Sequence, residues 1–247
     1  MTQSLGKESY EQFADRYAAV VETKAHNAYL ANPAIRSLLP PLAGCRVLDA
    51  GCGSGHFSDE FLNAGAEVVA FDVTPRFVEI TRERLGDRAT VYQHDLIQPL
   101  DFAEDASFDL VFSNLVMDYS PDWTPILTEF ARVLRPGGAA LWSFGHPAAE
   151  WALVKADRLV VVGEEPDYFA VQMTEMDWGG FGEPRPVVRA YRRPLQAGIA
   201  SMLAAGLTLD ALLEMQPTPE FAEVDSDRYA RFMRNPTFMC IRAVKPA

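Results

Sequence analysis

The sequence predicts an α/β fold, a Rossmann-like, doubly wound sheet that is mostly parallel and covered by helices on both faces. Three observations lead there. From residue 45 to residue 146, short apolar runs alternate with amphipathic stretches of helical period, the rhythm of strands that need a crossover helix between parallel neighbours. A glycine-dense turn, Gly51-Cys52-Gly53-Ser54-Gly55, joins the first apolar run to the first such helix. The second run, Glu67 to Asp72, ends in a carboxylate.

Each element follows from its pattern. Residues 6–22 carry Tyr10, Phe13, Ala14, Tyr17 and Val21 at helical spacing, which predicts one amphipathic helix lying over the site mouth. Burial of the ring against the body of the domain is an equal reading for Tyr10 and the preferred one for Phe13. Asn32-Pro33 opens a further helix that closes before Pro40-Pro41. Residues 45–50 form strand one, and His56 to Ala64, with Phe57, Phe61 and Leu62 on one side, the helix after it. A helix from Pro75 follows strand two, lined by Phe77, Val78, Ile80 and Leu85, and Ala89 to His94 is strand three. Asp122 to Leu134 places Trp123, Ile126, Leu127, Phe130 and Leu134 on one face, and strand five runs from Ala139 to Phe144.

After Gly145-His146-Pro147 the rhythm stops. Residues 147–193 hold Trp151, Tyr168, Phe169, Trp178, Phe181 and Tyr191 among Gly and Pro. So long a structureless loop is improbable in a compact domain, so a small aromatic-walled insertion is expected. Pro194 to Ala205 reads as a helix, Leu207 to Leu213 as a strand, Pro217 to Asn235 as irregular and acidic, and Thr237 to Val244 as a last strand. The chain is read as one domain: a helical cap (1–43), a core (44–146), the insertion (147–193), and a C-terminal helix and strands (194–247).

Composition narrows the partners. The 247 residues carry a net charge of −12, which argues against nucleic acid, whose binding relies on basic residues displacing counterions. No apolar run approaches the roughly twenty residues that span a bilayer, and Met1 to Lys7 lacks the basic-then-apolar pattern of a signal peptide. A cytoplasmic protein that engages no membrane is expected. Cys45, Cys52 and Cys240 are an odd set without metal-ligand spacing, so neither a disulfide framework nor a metal site is expected. The oligomeric state is open, and a homodimer is compatible with it.

The turn carries the chemistry. Glycines there tolerate positive φ and let a ligand approach the backbone and the amides of the following helix. Asp72 falls about twenty residues on, where such folds place an acid on ribose hydroxyls. Asp49, immediately before Ala50-Gly51, would repel a pyrophosphate and attract an ammonium. S-adenosylmethionine offers an ammonium, a sulfonium and an adenosine without phosphate. The spacing Gly-x-Gly-x-Gly also departs from the dinucleotide pattern.

On these residues, Val47 to Gly55 and Phe71-Asp72-Val73-Thr74, the chain resembles the class I S-adenosylmethionine-dependent methyltransferases, in their ubiquinone and menaquinone biosynthesis-like branch. His94-Asp95-Leu96, Ser107 to Asn114 and Arg132 to Gly138 resemble the family's third strand end, fourth strand and turn into the fifth. The resemblance implies a seven-stranded sheet whose last strand runs antiparallel, and an insertion after strand five that lies over a small-molecule substrate. It implies that Asp49, Gly51, Gly53 and Ser54 hold the methionine part, with Asp72 on the ribose. Asp95 would take the adenine amino group, Val73 and Leu96 would flank the ring, and Asn114 would approach the ligand's amino end. Tyr17 would reach its carboxylate.

His146, at the end of strand five, is the candidate base, weighed equally against a structural role; His26, Asp118 and Tyr119 are lesser candidates. The sequence after strand five lacks the Asp-Asn pair of magnesium-dependent relatives, so a metal-independent transfer to O, N or C of a small, partly apolar or aromatic molecule is expected, leaving S-adenosylhomocysteine. The alternative is a related enzyme that binds the same cofactor but carries out a non-methylating reaction such as a cyclisation. A nicotinamide oxidoreductase and a non-catalytic binding protein are weaker readings.

Overall fold

The structure is a computed structural model that describes residues 5–247; residues 1–4, the start of the segment read for a signal peptide, lie outside the described residues. The chain opens with helices α1 (Leu5–Tyr10), α2 (Ala14–Val20) and α3 (Asn32–Arg36), then β1 (Arg46–Ala50), α4 (His56–Asn63), β2 (Glu67–Asp72), α5 (Pro75–Leu85) and β3 (Thr90–Gln93). It continues through β4 (Phe108–Asn114), α6 (Thr124–Val133), β5 (Leu134–Gly145), α7 (Pro147–Lys155), β6 (Val160–Val161), β7 (Gln172–Asp177) and β8 (Val187–Arg192). It ends with α8 (Leu195–Ala204), β9 (Thr208–Glu214), α9 (Glu220–Val224), α10 (Ser226–Phe232) and β10 (Phe238–Val244).

Seven strands make the main sheet in the order β3-β2-β1-β4-β5-β10-β9. Strands β1 to β5 are mutually parallel, and β10 runs antiparallel to both of its neighbours. Strand alternation sorts side chains to two cores. Leu48, Val69, Phe71, Val111 and Trp142 meet Trp123 and Phe130 of the α6 side. Their immediate neighbours Val47, Val68, Ala70, Leu110, Phe112 and Leu141 meet Phe57 and Phe61 of α4. Apolar residues at successive positions are what a strand buried on both faces requires.

Two sequence expectations differ from the structure. Residues 6–22 are two helices rather than one, because Phe13 leaves the helical region (φ −144°, ψ 21°) ahead of α2. The break lets its ring stack on Tyr10 at 5.3 Å and meet Phe181 of the insertion at 5.5 Å. Residues 217–235 are not irregular: α9 and α10 bury Phe221 and Phe232 around the His26 ring. Asp225 caps α10 by accepting from the Arg228 amide, so one of the acids that suggested a loop is a helix start.

The insertion folds as α7 and a three-stranded antiparallel sheet, β6-β7-β8. Fully buried Arg192 pins it, donating to the carbonyls of Asp167, Tyr168 and Ala170. Its Trp178 and Phe181 pack on Tyr10, Phe13 and Tyr17 of the first two helices. Among the described residues no helix is long and apolar enough to cross a membrane.

Phe112 lies fully buried with ring centroids 4.8 Å from Phe57 and 5.0 Å from Phe61. Phe112→Ala should cost about 3–5 kcal/mol of stability, read as a lower urea midpoint at unchanged far-UV circular dichroism.

Candidate active site

The sheet order reverses at β1, whose neighbours β2 and β4 lead to opposite edges. Helices must leave in opposite directions there, which opens a crevice beyond the strand ends. The glycine turn occupies that crevice. Gly51 (φ +82°) has no room for a side chain, since a Cβ would lie 2.5 Å from Val116 Cγ1. Gly53 (φ +54°) meets no atom within 4 Å, so it is the glycine beside open space.

Four of the turn's amides are spent inside the protein. Gly51 and Cys52 N–H both donate to the Phe71 carbonyl, Gly53 N–H to Asp72 Oδ2, and Gly55 N–H to the Cys52 carbonyl. A pyrophosphate relies on such donors. What this turn offers is carboxylate. Asp49 is buried with Oδ2 accepting from the Ser58 hydroxyl at 2.5 Å. Burial pushes its carboxyl up to about 7, the Ser58 hydrogen bond opposes that, and the nearby Asp72 adds to it. Asp72 accepts from Gly53 N–H at 2.9 Å and Thr74 N–H at 2.8 Å; burial raises its carboxyl and those amides partly offset the rise.

The cleft has two lobes joined at Tyr17, Gly51, Gly53, Asn114 and Leu115. One, of about 630 Å³, reaches Asp72, Val73 and Leu96; the other, of about 550 Å³, reaches Asp49 and Ser54. All the residues expected at a cofactor thus line one cleft except Asp95, whose carboxylate accepts from the Ile97 amide at 3.3 Å outside the lining. Burial also drives the Tyr17 phenol up to about 12, so it enters the cleft as a neutral hydrogen-bonding group. The donor set fits a cationic, phosphate-free adenosine cofactor: two buried carboxylates, an open glycine, and apolar walls from Val73 and Leu96.

His146 stands outside the lining of both lobes. Its Nδ1 accepts from the Ala148 amide at the start of α7, and its Nε2 lies 2.8 Å from Glu214 Oε1. Of the lesser candidates, His26 is wedged between Phe221 and Phe232, with burial lowering it to about 4. Asp118 accepts from the Gly145 amide, and burial raises its carboxyl to about 6, against the Arg193 charge. Tyr119 lines the cleft.

Sequence reasoning missed Leu115 and undervalued Tyr10, Phe77 and His94, all of which line the larger lobe. Leu115 has φ +58°, an uncommon conformation for a branched side chain. It is held by Ser143, whose hydroxyl accepts from the Leu115 amide and donates to Asn114 Oδ1. No residue type announces that strain, whereas the helical spacing of Tyr10 already placed it near the mouth. Among the described residues there is no group of three side chains able to hold a metal ion.

Residues 48–142 match the family profile described as "Methyltransferase domain". The malonyl-[acyl-carrier protein] O-methyltransferase of Erwinia billingiae is 36% identical over 141 residues, covering 57% of this chain and 55% of the relative. The ubiquinone biosynthesis O-methyltransferase of Thiobacillus denitrificans is 27% identical over 177 residues, 71% of this chain and 73% of the relative. This chain therefore spans about half the length of the first relative and about three quarters of the second. A crystal structure of an S-adenosylmethionine-dependent methyltransferase from Mesorhizobium loti superposes with a TM-score of 0.70 at 23% identity, covering 91% of this chain and 99% of that one; at that identity it supports the fold.

The raised Asp49 carboxyl ties stability to pH. The folded chain keeps a proton on it up to about pH 7, while an unfolded aspartate releases its own near pH 4. This contribution is therefore fully present below about pH 4 and is lost as pH rises towards 7. Asp49→Asn should flatten part of that fall in urea midpoints measured between pH 4.5 and 7.5, and an unchanged profile would contradict the assignment.

Proposed function

We propose that this chain, whose residues 48–142 match a methyltransferase domain profile and whose relatives are O-methyltransferases by name, transfers the methyl group of S-adenosylmethionine to a small, partly apolar or aromatic molecule. The observation that carries this reading is the pair of buried carboxylates, Asp49 and Asp72, that line the cleft beside a glycine turn four of whose amides are engaged internally. That arrangement suits a cationic ligand without phosphate and opposes a dinucleotide. Both relatives compared are O-methyltransferases by name, which supports oxygen as the acceptor atom.

When bound, S-adenosylmethionine supplies an electrophilic methyl group on a sulfonium. The chain's part is to bind, orient and exclude water. Asp49 takes the ammonium and Asp72 the ribose hydroxyls, using lone pairs not already committed to Gly53 and Thr74. Val73 and Leu96 flank the adenine, Tyr17 donates to the carboxylate, and the Asn114 backbone meets the amino end. Displacement at a methyl carbon is sensitive to alignment, so positioning supplies much of the rate. We assign His146 to capping α7, because both ring nitrogens are engaged there.

Calorimetric titration tests the cofactor assignment. Wild type should bind S-adenosylmethionine and S-adenosylhomocysteine saturably, and Asp72→Ala should weaken both at least tenfold, on the order of 1.4 kcal/mol or more. A folded wild type that binds neither would sink the proposal. Substrate consumed without stoichiometric S-adenosylhomocysteine would instead favour a non-methylating reaction.

Affinity should also follow Asp49. An ammonium favours the ionised carboxyl, so binding tightens as pH rises from 6 to about 7 and then weakens as the ligand's α-amino group deprotonates near 8. Asp49→Asn should lose the lower limb of this profile; retention of that limb would assign the proton to another group.

A further inference from the structure

Two buried phenols meet across the larger lobe. Tyr10 stands at the end of α1 and Tyr119 in the short turn Met117–Tyr119 after β4, and their hydroxyl oxygens lie 2.8 Å apart. Both line the cleft and are only 9% and 8% exposed. Tyr17 abuts Tyr10 with ring centroids 5.0 Å apart, and Phe77 stands 5.6 Å from it. Burial raises the pKa of all three phenols, with the neighbouring phenols adding to that of Tyr10, so each keeps its proton and none serves as a base.

The proton count singles the pair out. Two hydroxyls bonded to each other use one O–H internally and leave one over. Tyr17, whose own O–H is assigned to the cofactor carboxylate, stands outside this count. Among the described residues no carbonyl or carboxylate accepts from Tyr10 or Tyr119. A buried donor left unmade is rarer and costlier than an under-used lone pair, so the surplus lies on the donor side.

We propose that the Tyr10–Tyr119 pair recognises the methyl acceptor, its surplus O–H donating to an oxygen lone pair, so that carboxylate- or hydroxyl-bearing acceptors are selected over ammonium compounds of the same shape. The inference rests on the methyltransferase reading. The rival ligand is a real one: the ring faces around the lobe attract a cation, but an ammonium has only donors to offer and leaves the surplus proton unmet.

The test uses a matched series, benzoate, benzyl alcohol and benzylammonium, titrated by calorimetry into protein saturated with S-adenosylhomocysteine. The two oxygen probes should bind at least tenfold more tightly than benzylammonium. The double variant Tyr10→Phe, Tyr119→Phe should weaken the oxygen probes at least tenfold while S-adenosylhomocysteine affinity stays within twofold of wild type, which also shows that the variant folds. Should the double variant not fold, each single variant should weaken the oxygen probes at least threefold. The proposal is overturned if the oxygen probes do not bind, if benzylammonium binds as tightly, or if the variants leave the preference intact. It is equally overturned if the variants lose S-adenosylhomocysteine, since the pair would then serve the cofactor. Failure of wild type to bind S-adenosylhomocysteine is a different result, which sinks the methyltransferase reading and this inference with it.

Discussion

The site depends on a carboxylate buried at the end of the central strand. Asp49 sits where β1 meets the turn, and its side chain accepts from Ser58. A charge in such a place is costly unless a counter-charge arrives. The surrounding structure keeps it there: β1 is locked in register between β2 and β4, and the turn above it is closed by four internal amide bonds. A cation entering the cleft beside Asp49 would supply that counter-charge.

The strands and core helices were legible because their signals are local. Val47, Leu48 and Ala50 read as a strand covered on both sides, and the α6 stripe from Trp123 to Phe130 reads as one helix face; the structure buries both sets. Reading failed where a few large side chains overrule the local pattern. Phe13 breaks a periodic helix to reach Phe181, 168 positions further on, and no window of sequence contains that contact. Phe221 and Phe232 lie among acids that suggested a loop, yet they close a core around His26.

The site divides in the same way. Asp49, Asp72 and the glycines occupy fixed offsets from strand ends, so their arrival in one cleft could be foreseen. The use of the turn's amides could not, since their acceptors are a carbonyl of β2 and the Asp72 side chain. His146 illustrates the limit for single residues. Its position at the end of β5 was correctly inferred, but Glu214 on the edge strand and the first turn of α7 decide what its ring nitrogens do. The Tyr10–Tyr119 contact spans 109 residues and depends on how the first helix lies across the sheet.

The third apolar cluster has its own consequence. Tyr10, Phe13, Ala14, Phe77, Tyr119, Phe181 and Val188 pack together apart from the two cores that flank the sheet. Its members come from the leading helices, from α5, from the turn after β4 and from the insertion. Cap and insertion are thus joined to each other through aromatic stacking, and this side of the cleft is walled by one packed cluster rather than by a single loop. Side chains that share one cluster lose their packing together, so removing any one of these rings would loosen the cap and the insertion alike.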